Sequence, residues 1–170
     1  GPTESGTRQL ATFAIGAAFA SLVGWLVIDL AFAEPDCDPD ASTSIAAGNL
    51  DFADGIPWQP FTEERVASFS GRSPVFIDFT ADWCLTCKVN ERTVLSTDAV
   101  RESMEQLGVV PLKADWTRRD EAITRWLQRY GKAGVPFYLV VPADRSRDAI
   151  PLPEVVTPDS VVDAMRRAAG

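Results

Sequence analysis

The sequence is 170 residues long, 46% hydrophobic and 24% charged, and carries a net charge of −8. An acidic excess excludes a nucleic-acid surface, which needs a basic face. The absence of histidine excludes Ser-His-Asp and Cys-His catalysis and removes the commonest metal ligand, and three cysteines are too few for a disulfide-stapled scaffold.

The opening Gly1-Pro2-Thr3-Glu4-Ser5-Gly6 resembles a cleavage scar plus spacer. Residues 1–9 are therefore expected to be a tail, and the chain a piece of something longer. Leu10 to Ala33 form one apolar run whose only charge is Asp29. As a helix it would be roughly 36 Å long, enough for a hydrocarbon core of about 30 Å. A transmembrane helix over residues 10–33 is the expectation. A signal peptide cleaved near Ala31-Phe32-Ala33 and a buried core helix are the alternatives. Arg8 precedes the run, and Glu34, Asp36, Asp38 and Asp40 follow it. Positive charge stays inside, so the remainder is expected outside the cytoplasm. Residues 34–55 carry six acidic side chains and no basic ones. They read as a flexible acidic linker with a reach of roughly 25 Å. Within it, Cys37 lies between two aspartates and reads as an incidental thiol.

From Ile56 the pattern alternates strand and helix, and residues 56–170 are expected to form one α/β domain. Ile56-Pro57-Trp58 opens a short strand. Thr62, followed by Glu63 and Glu64, caps a helix to about Ser70. Pro74–Thr80 is a buried strand. A helix runs from Cys84 toward Leu95, and Thr97-Asp98 restarts one to about Leu107. Val109–Ala114 is a second buried strand. Thr117 with Asp120 looks like a capping box for a helix ending at Gly131. Pro136–Val141 is a third strand. Ala149–Leu152 is an edge strand, because its proline cannot donate to a ladder. Thr157-Pro158 opens the last helix to about Ala168.

The chemistry centres on Cys84-Leu85-Thr86-Cys87, directly after an apolar strand and at a helix start. Free backbone N–H groups and the helix dipole favour a thiolate on the first cysteine. The second lies one turn on, placed to close a small disulfide ring. Cys84 is the expected nucleophile and Cys87 the resolving thiol. The bland alternative is half of a zinc site, for which further ligands are lacking, since only Cys37 remains. No metal and no cofactor beyond a redox-active Cys84–Cys87 disulfide are expected. Asp78 interrupts the apolar strand before the dithiol. If buried it would have a raised pKa, and if at a strand end it would face water. Glu91 shares a helix face with Cys84 and Cys87. It either restrains thiol reactivity or forms a solvated pair with Lys88. Trp83 either shields the site and offers a docking surface or packs into the core.

The segment PVFIDFTADWCLTCKVNE resembles the active-site strand and helix of thioredoxin-fold proteins, and most of all the C-terminal domain of the thiol:disulfide interchange protein DsbD family. Ala81-Asp82-Trp83-Cys84, Cys87-Lys88 and Glu91 carry the likeness. Lys113-Ala114-Asp115-Trp116-Thr117 and Gly134-Val135-Pro136 extend it downstream. The resemblance implies a thioredoxin fold, a central mixed sheet flanked by helices. It also implies that Asp78 handles a proton for Cys87. A cis Pro136 would lie against the dithiol and expose the backbone of Val135 to a substrate strand. By the same resemblance, the domain takes electrons from a membrane domain and reduces disulfides of periplasmic proteins, at the bacterial inner membrane. Uncharged Leu85 and Thr86, with Glu91 opposing a thiolate, also favour a reductant. A free-standing membrane-anchored thioredoxin that reduces apocytochrome c, a dithiol oxidase or isomerase, and a non-catalytic adaptor are the competing readings.

Overall fold

The computed structural model describes residues 50–170. The expected tail (1–9), membrane helix (10–33), Cys37 and most of the linker lie outside the described residues. Among the described residues no helix is long and apolar enough to cross a membrane.

The elements in order are β1 (Gln59–Pro60), α1 (Glu63–Phe69), β2 (Val75–Thr80), α2 (Leu85–Asn90), a π turn (Glu91–Leu95), α3 (Asp98–Gln106), β3 (Val110–Asp115), α4 (Glu121–Arg129), β4 (Phe137–Val141), β5 (Ile150–Leu152) and α5 (Pro158–Ala169). The five strands form one mixed sheet in the order β1-β3-β2-β4-β5. β3 runs parallel to β1 and β2, whereas β4 is antiparallel to β2 and β5. This is the thioredoxin-like α/β architecture, with β2 at its centre.

All six side chains of β2 are buried, because helices cover both faces of the sheet. Alternation along the strand divides the core. Phe76 joins Tyr138 and Val140 in a layer with Val94, Leu95 and Met104, closed by Val161 and Met165 of α5. Val75, Ile77 and Phe79 join Phe137 and Leu139 in a second layer, with Val66 and Phe69 of α1 and Ile123 and Leu127 of α4. Asp78 has the parity of Phe76 and so belongs to the face that carries the π turn. Pro111 is tolerated inside β3. Val110 N–H donates toward the β2 side, to Pro74 O, so position 111 points to the other side, where β1 reaches only Leu112 and Lys113.

Four expectations need correction. The first strand is Gln59–Pro60, not Ile56–Trp58. Trp58 instead packs its ring near Phe76, 6.1 Å between centroids. The long helix after the dithiol is α-helical only to Asn90. Ser96 N–H and hydroxyl both donate to Glu91 O, at 2.9 and 2.6 Å, and the N–H bond spans five residues and defines the π turn. Thr117 does not cap α4. Asp120 does, accepting from Ile123 N–H at 3.0 Å, while Thr117 turns back to Asp115. Finally, residues 50–55 are not loose linker. Phe52 is only 5% exposed within the first core layer, and its carbonyl accepts from Arg101 Nη1 at 3.2 Å. One aromatic side chain outweighs the acidic composition around it.

Phe52→Ala should lower stability by about 3 kcal/mol, read as a fall in the urea midpoint of the full chain. An unchanged midpoint would return residues 50–55 to the linker.

Candidate active site

β2 delivers the dithiol. The chain leaves the strand at Thr80 and turns tightly, with Cys84 N–H donating to Ala81 O at 3.0 Å. Cys84 is the N-cap of α2, extended at φ −85° and ψ 95°, and its sulfur accepts from Cys87 N–H at 3.2 Å. The two sulfurs are bonded, with Cα atoms 5.3 Å apart. They are not equivalent. Cys87 has no exposed surface, whereas Cys84 is 6% exposed. The residues on either side of Cys84 in sequence, Trp83 and Leu85, are exposed, as is Val89 further along α2. Of this pair, Cys84 alone has surface with which to meet a sulfur of another protein.

The Val135–Pro136 peptide bond is cis. Val135 packs against Ala81, Cys84 and Cys87, so the loop before β4 closes over the disulfide. Trp83 is 55% exposed and is therefore surface rather than core. Its Nε1–H donates to Thr117 O at 3.3 Å. The Thr117 hydroxyl oxygen accepts from Asp82 N–H at 2.9 Å and donates to Asp115 Oδ1 at 2.5 Å. These bonds hold Asp115 well below the usual carboxylate range, the Thr117 hydroxyl contributing most. The β3–α4 loop thus grips both residues ahead of Cys84.

Asp78 is fully buried and neither of its carboxylate oxygens has a hydrogen-bond partner among the described residues. Burial lifts its pKa from the ordinary 3.8 to about 7. Lys113 pulls it down, Glu91 pushes it up and Lys88 pulls it down in lesser degree. Lys113 faces Asp78 across the β2–β3 ladder, its Nζ 4.0 Å from Oδ2. The same Nζ donates to Glu91 Oε1 at 3.2 Å, an oxygen that also accepts from Thr80 Oγ1 at 3.1 Å. Glu91 Oε2 lies 3.8 Å from Lys88 Nζ, and Lys88 reaches Asp82 Oδ1 at 3.7 Å. Charges of alternating sign thus run from a sealed carboxylate to the exposed rim of the dithiol. Glu91 does pair with Lys88, but it is not merely solvated, since Thr80 and Lys113 hold it as well.

Of the residues singled out from sequence, Val135 is brought to the dithiol with Pro136 following it across a cis peptide bond, Trp83 borders it, and Asp78, Lys88 and Glu91 are linked through Lys113 in one charged chain. Lys113, Thr117, Asn90 and Tyr138 were missed. Lys113 had a readable signal, a lone charge inside an apolar strand. Asn90 is 4% exposed and donates to Tyr138 Oη at 3.0 Å and to Glu154 O at 2.8 Å. It ties the active-site helix to β4 and to the loop after β5. Its only signal was a position three residues after Cys87.

The thioredoxin-like family pattern matches residues 58–143. Among curated proteins, the thiol:disulfide interchange protein DsbD of Ralstonia nicotianae is 31% identical over 106 residues, covering 62% of this chain and 17% of that protein. The protein of the same name from Vibrio vulnificus is 37% identical over 97 residues, covering 57% of this chain and 16% of its own length. The chain therefore spans about one-sixth of the length of these relatives. Among solved structures, the reduced C-terminal domain of DsbD from Neisseria meningitidis superposes with a TM-score of 0.50 at 22% identity, covering 65% of this chain and 99% of that one. That last likeness is one of fold.

The Asp78 carboxyl has a pH signature. Unfolded it titrates near 3.8 and folded near 7, so the native state holds the extra proton between those values. Stability from this group is full below the lower value and is lost as pH rises through the upper one. Asp78→Asn should therefore stabilise the oxidised protein at pH 8, by an amount on the order of a few kcal/mol, with the gain vanishing toward pH 4. Thermal melts across that range check it, and a gain independent of pH would show that Asp78 does not titrate there.

Proposed function

The chain belongs to the thioredoxin-like family, and on that premise we propose that it is a thiol:disulfide oxidoreductase that reduces disulfides of proteins outside the cytoplasm. The observation that carries this reading is the unequal exposure of the two sulfurs at the start of α2, one reachable at 6% and one sealed. The printed name of the relatives, thiol:disulfide interchange protein, supports the same chemistry.

In the reduced protein, the Cys84 thiolate attacks one sulfur of a substrate disulfide. A mixed disulfide forms, and the other substrate sulfur leaves as a thiolate that takes a proton from solvent. Cys87 then gives up its proton and attacks Cys84 Sγ. The Cys84–Cys87 bond forms, the mixed disulfide breaks, and the second substrate sulfur leaves. Two electrons pass to the substrate and the chain ends oxidised. Asp78, near pH 7 about half ionised and without hydrogen-bond partners, is the proposed acceptor of the Cys87 proton. Cys84 needs no such base, since the free N–H groups of the first turn favour its thiolate.

The direction of flow rests on charge. The residues between the cysteines are uncharged, so nothing there stabilises the thiolate of the reduced form. The acids that bracket the pair in sequence, Asp78 in β2 and Glu91 four residues after Cys87, add negative rather than positive charge. A strong oxidant needs the opposite arrangement. In the proposed setting, residues 10–33 anchor the chain in the bacterial inner membrane. The domain faces the periplasm, and a membrane electron-donor domain returns the chain to its dithiol form.

The full chain should catalyse insulin reduction by dithiothreitol, and Cys84→Ser should abolish it. Cys87→Ser should accumulate mixed disulfides through Cys84, visible on non-reducing gels and mapped by mass spectrometry. Trapping through Cys87 in Cys84→Ser would reverse the assignment, and an inactive wild type would favour an adaptor. The midpoint potential against glutathione should lie nearer thioredoxin, about −270 mV, than the strong oxidants near about −120 mV.

A further inference from the structure

The surface around Cys84 has a feature that electron transfer does not require. Trp83 lies beside Trp116, 6.1 Å between ring centroids. Trp116 is nearly buried and fixed by its Nε1–H, which donates to Thr124 Oγ1 at 2.8 Å. Its ring also abuts the loop of the cis proline: a Cβ on Gly134 would stand 3.6 Å from Trp116 Cζ3. The guanidinium of Arg119 lies over the same ring, Cζ 5.5 Å from its centroid. Trp116 therefore joins the nucleophile's tryptophan, the loop where a substrate strand would pair, and an arginine.

Arg119 is held there at a cost. Its φ of 57° is the one left-handed non-glycine backbone among the described residues, a conformation that side chains with a Cβ rarely adopt. Its N–H closes the turn onto Trp116 O at 3.0 Å. Arg118 precedes it, and both are exposed. Neither lies within ion-pair distance of a carboxylate among the described residues. Of the acids near them, Asp115, Asp120 and Asp82 are engaged elsewhere, and the exposed Glu121, two residues after Arg119, forms no ion pair with either arginine among the described residues. Asp115 accepts from Thr117, Asp120 caps α4, and Asp82 pairs with Lys88. In a chain with 24 acidic and 16 basic residues, two adjacent arginines beside the redox site without a carboxylate partner among the described residues run against the overall balance.

We infer that this edge selects its protein substrates: the Trp83–Trp116–Arg119 stack and Arg118 receive a segment whose reactive cystine is flanked by Asp or Glu. The inference rests on the reductase reading above and adds the class of substrate. An extended segment crossing Val135 to place its sulfur on Cys84 would lay neighbouring side chains over Trp116. Carboxylates there would meet both guanidinium groups. Exposed charge pairs of this kind act chiefly on the rate of encounter and weaken in salt.

The test uses the full chain, reduced with dithiothreitol and freed of it, with two synthetic peptides as oxidants. The peptides share one intramolecular disulfide and differ only in flanking Glu or flanking Lys. Second-order rate constants come from stopped-flow tryptophan fluorescence at low ionic strength. The Glu peptide should react roughly tenfold faster. That ratio should fall toward one in high salt and in the Arg118→Gln/Arg119→Gln variant, and should invert in Arg119→Glu. Equal rates for the two peptides with wild type, or an unchanged ratio in the variants, would overturn the inference while leaving the reductase reading intact. Such a result would leave the arginines to another occupant, such as an anionic lipid surface or a second copy of the chain. Failure to reduce either peptide would overturn both.

Discussion

A fully buried carboxyl group with no hydrogen bond among the described residues sits in the middle of the central strand, and much of the molecule is arranged around it. β2 must be apolar on both faces to hold the sheet between its helices, and five of its six residues fit that demand or, like Thr80, find a hydrogen bond. Asp78 does not. Its neighbours on the same face are Phe76 and the aromatic ring of Tyr138 across the β4 ladder. Burial alone would make an ionised carboxylate there very costly, so the group remains largely protonated up to neutral pH. A fold seeking only stability would place valine or phenylalanine at this position. The retained acid fits the role proposed for it, as proton acceptor for the sealed Cys87.

The surrounding charges make that arrangement tolerable without cancelling it. Lys113 stands 4.0 Å from Asp78 but only 3.2 Å from Glu91, so the lysine is shared and Asp78 receives the weaker part. Had Lys113 paired fully with Asp78, the carboxyl would ionise at low pH and lose its ability to take a proton near neutrality. Glu91 thereby acts twice. It draws the lysine away from Asp78, and its own charge raises the Asp78 pKa. Placing Glu91 at the head of a π turn, anchored by Thr80, fixes the distance on which this division depends.

The strands and helices were legible because their periods were clean. A run of β-formers before the dithiol interrupted by Asp78, the Thr62 and Thr157 caps, and the proline in β5 each carry a local physical signal that the fold preserves. The dithiol was legible for the same reason, since its chemistry needs only spacing and a helix start. What sequence did not reveal depends on contacts between segments far apart in the chain. Asn90 reaches Tyr138 and Glu154, partners that no local rule connects. The capping-box reading at Thr117 failed because a tertiary use of the hydroxyl, on Asp115 and the Asp82 N–H, outcompeted a local one. Phe52 was concealed by composition, as a single core anchor within an acidic stretch leaves the average unchanged.

These tertiary bonds hold the cysteine pair at the edge of a buried network, with Cys84 alone of the two reaching the surface. The nucleophile needs a rigid approach, because a mixed disulfide forms only when three sulfurs come nearly into line. Here the residues on either side of Cys84 are held from separate directions. Asp82 and Trp83 are gripped by the β3–α4 loop through Thr117, and the helix that follows is fastened by Asn90 to β4 and to the loop after β5. Val135 closes the remaining side. With the frame clamped at these points, the exposed side chains of Leu85 and Val89 are free to adapt to a partner without moving the sulfur. Rigidity is concentrated in the frame and adaptability in the collar, which is the division a protein needs if it is to exchange electrons with more than one surface through a single reactive atom.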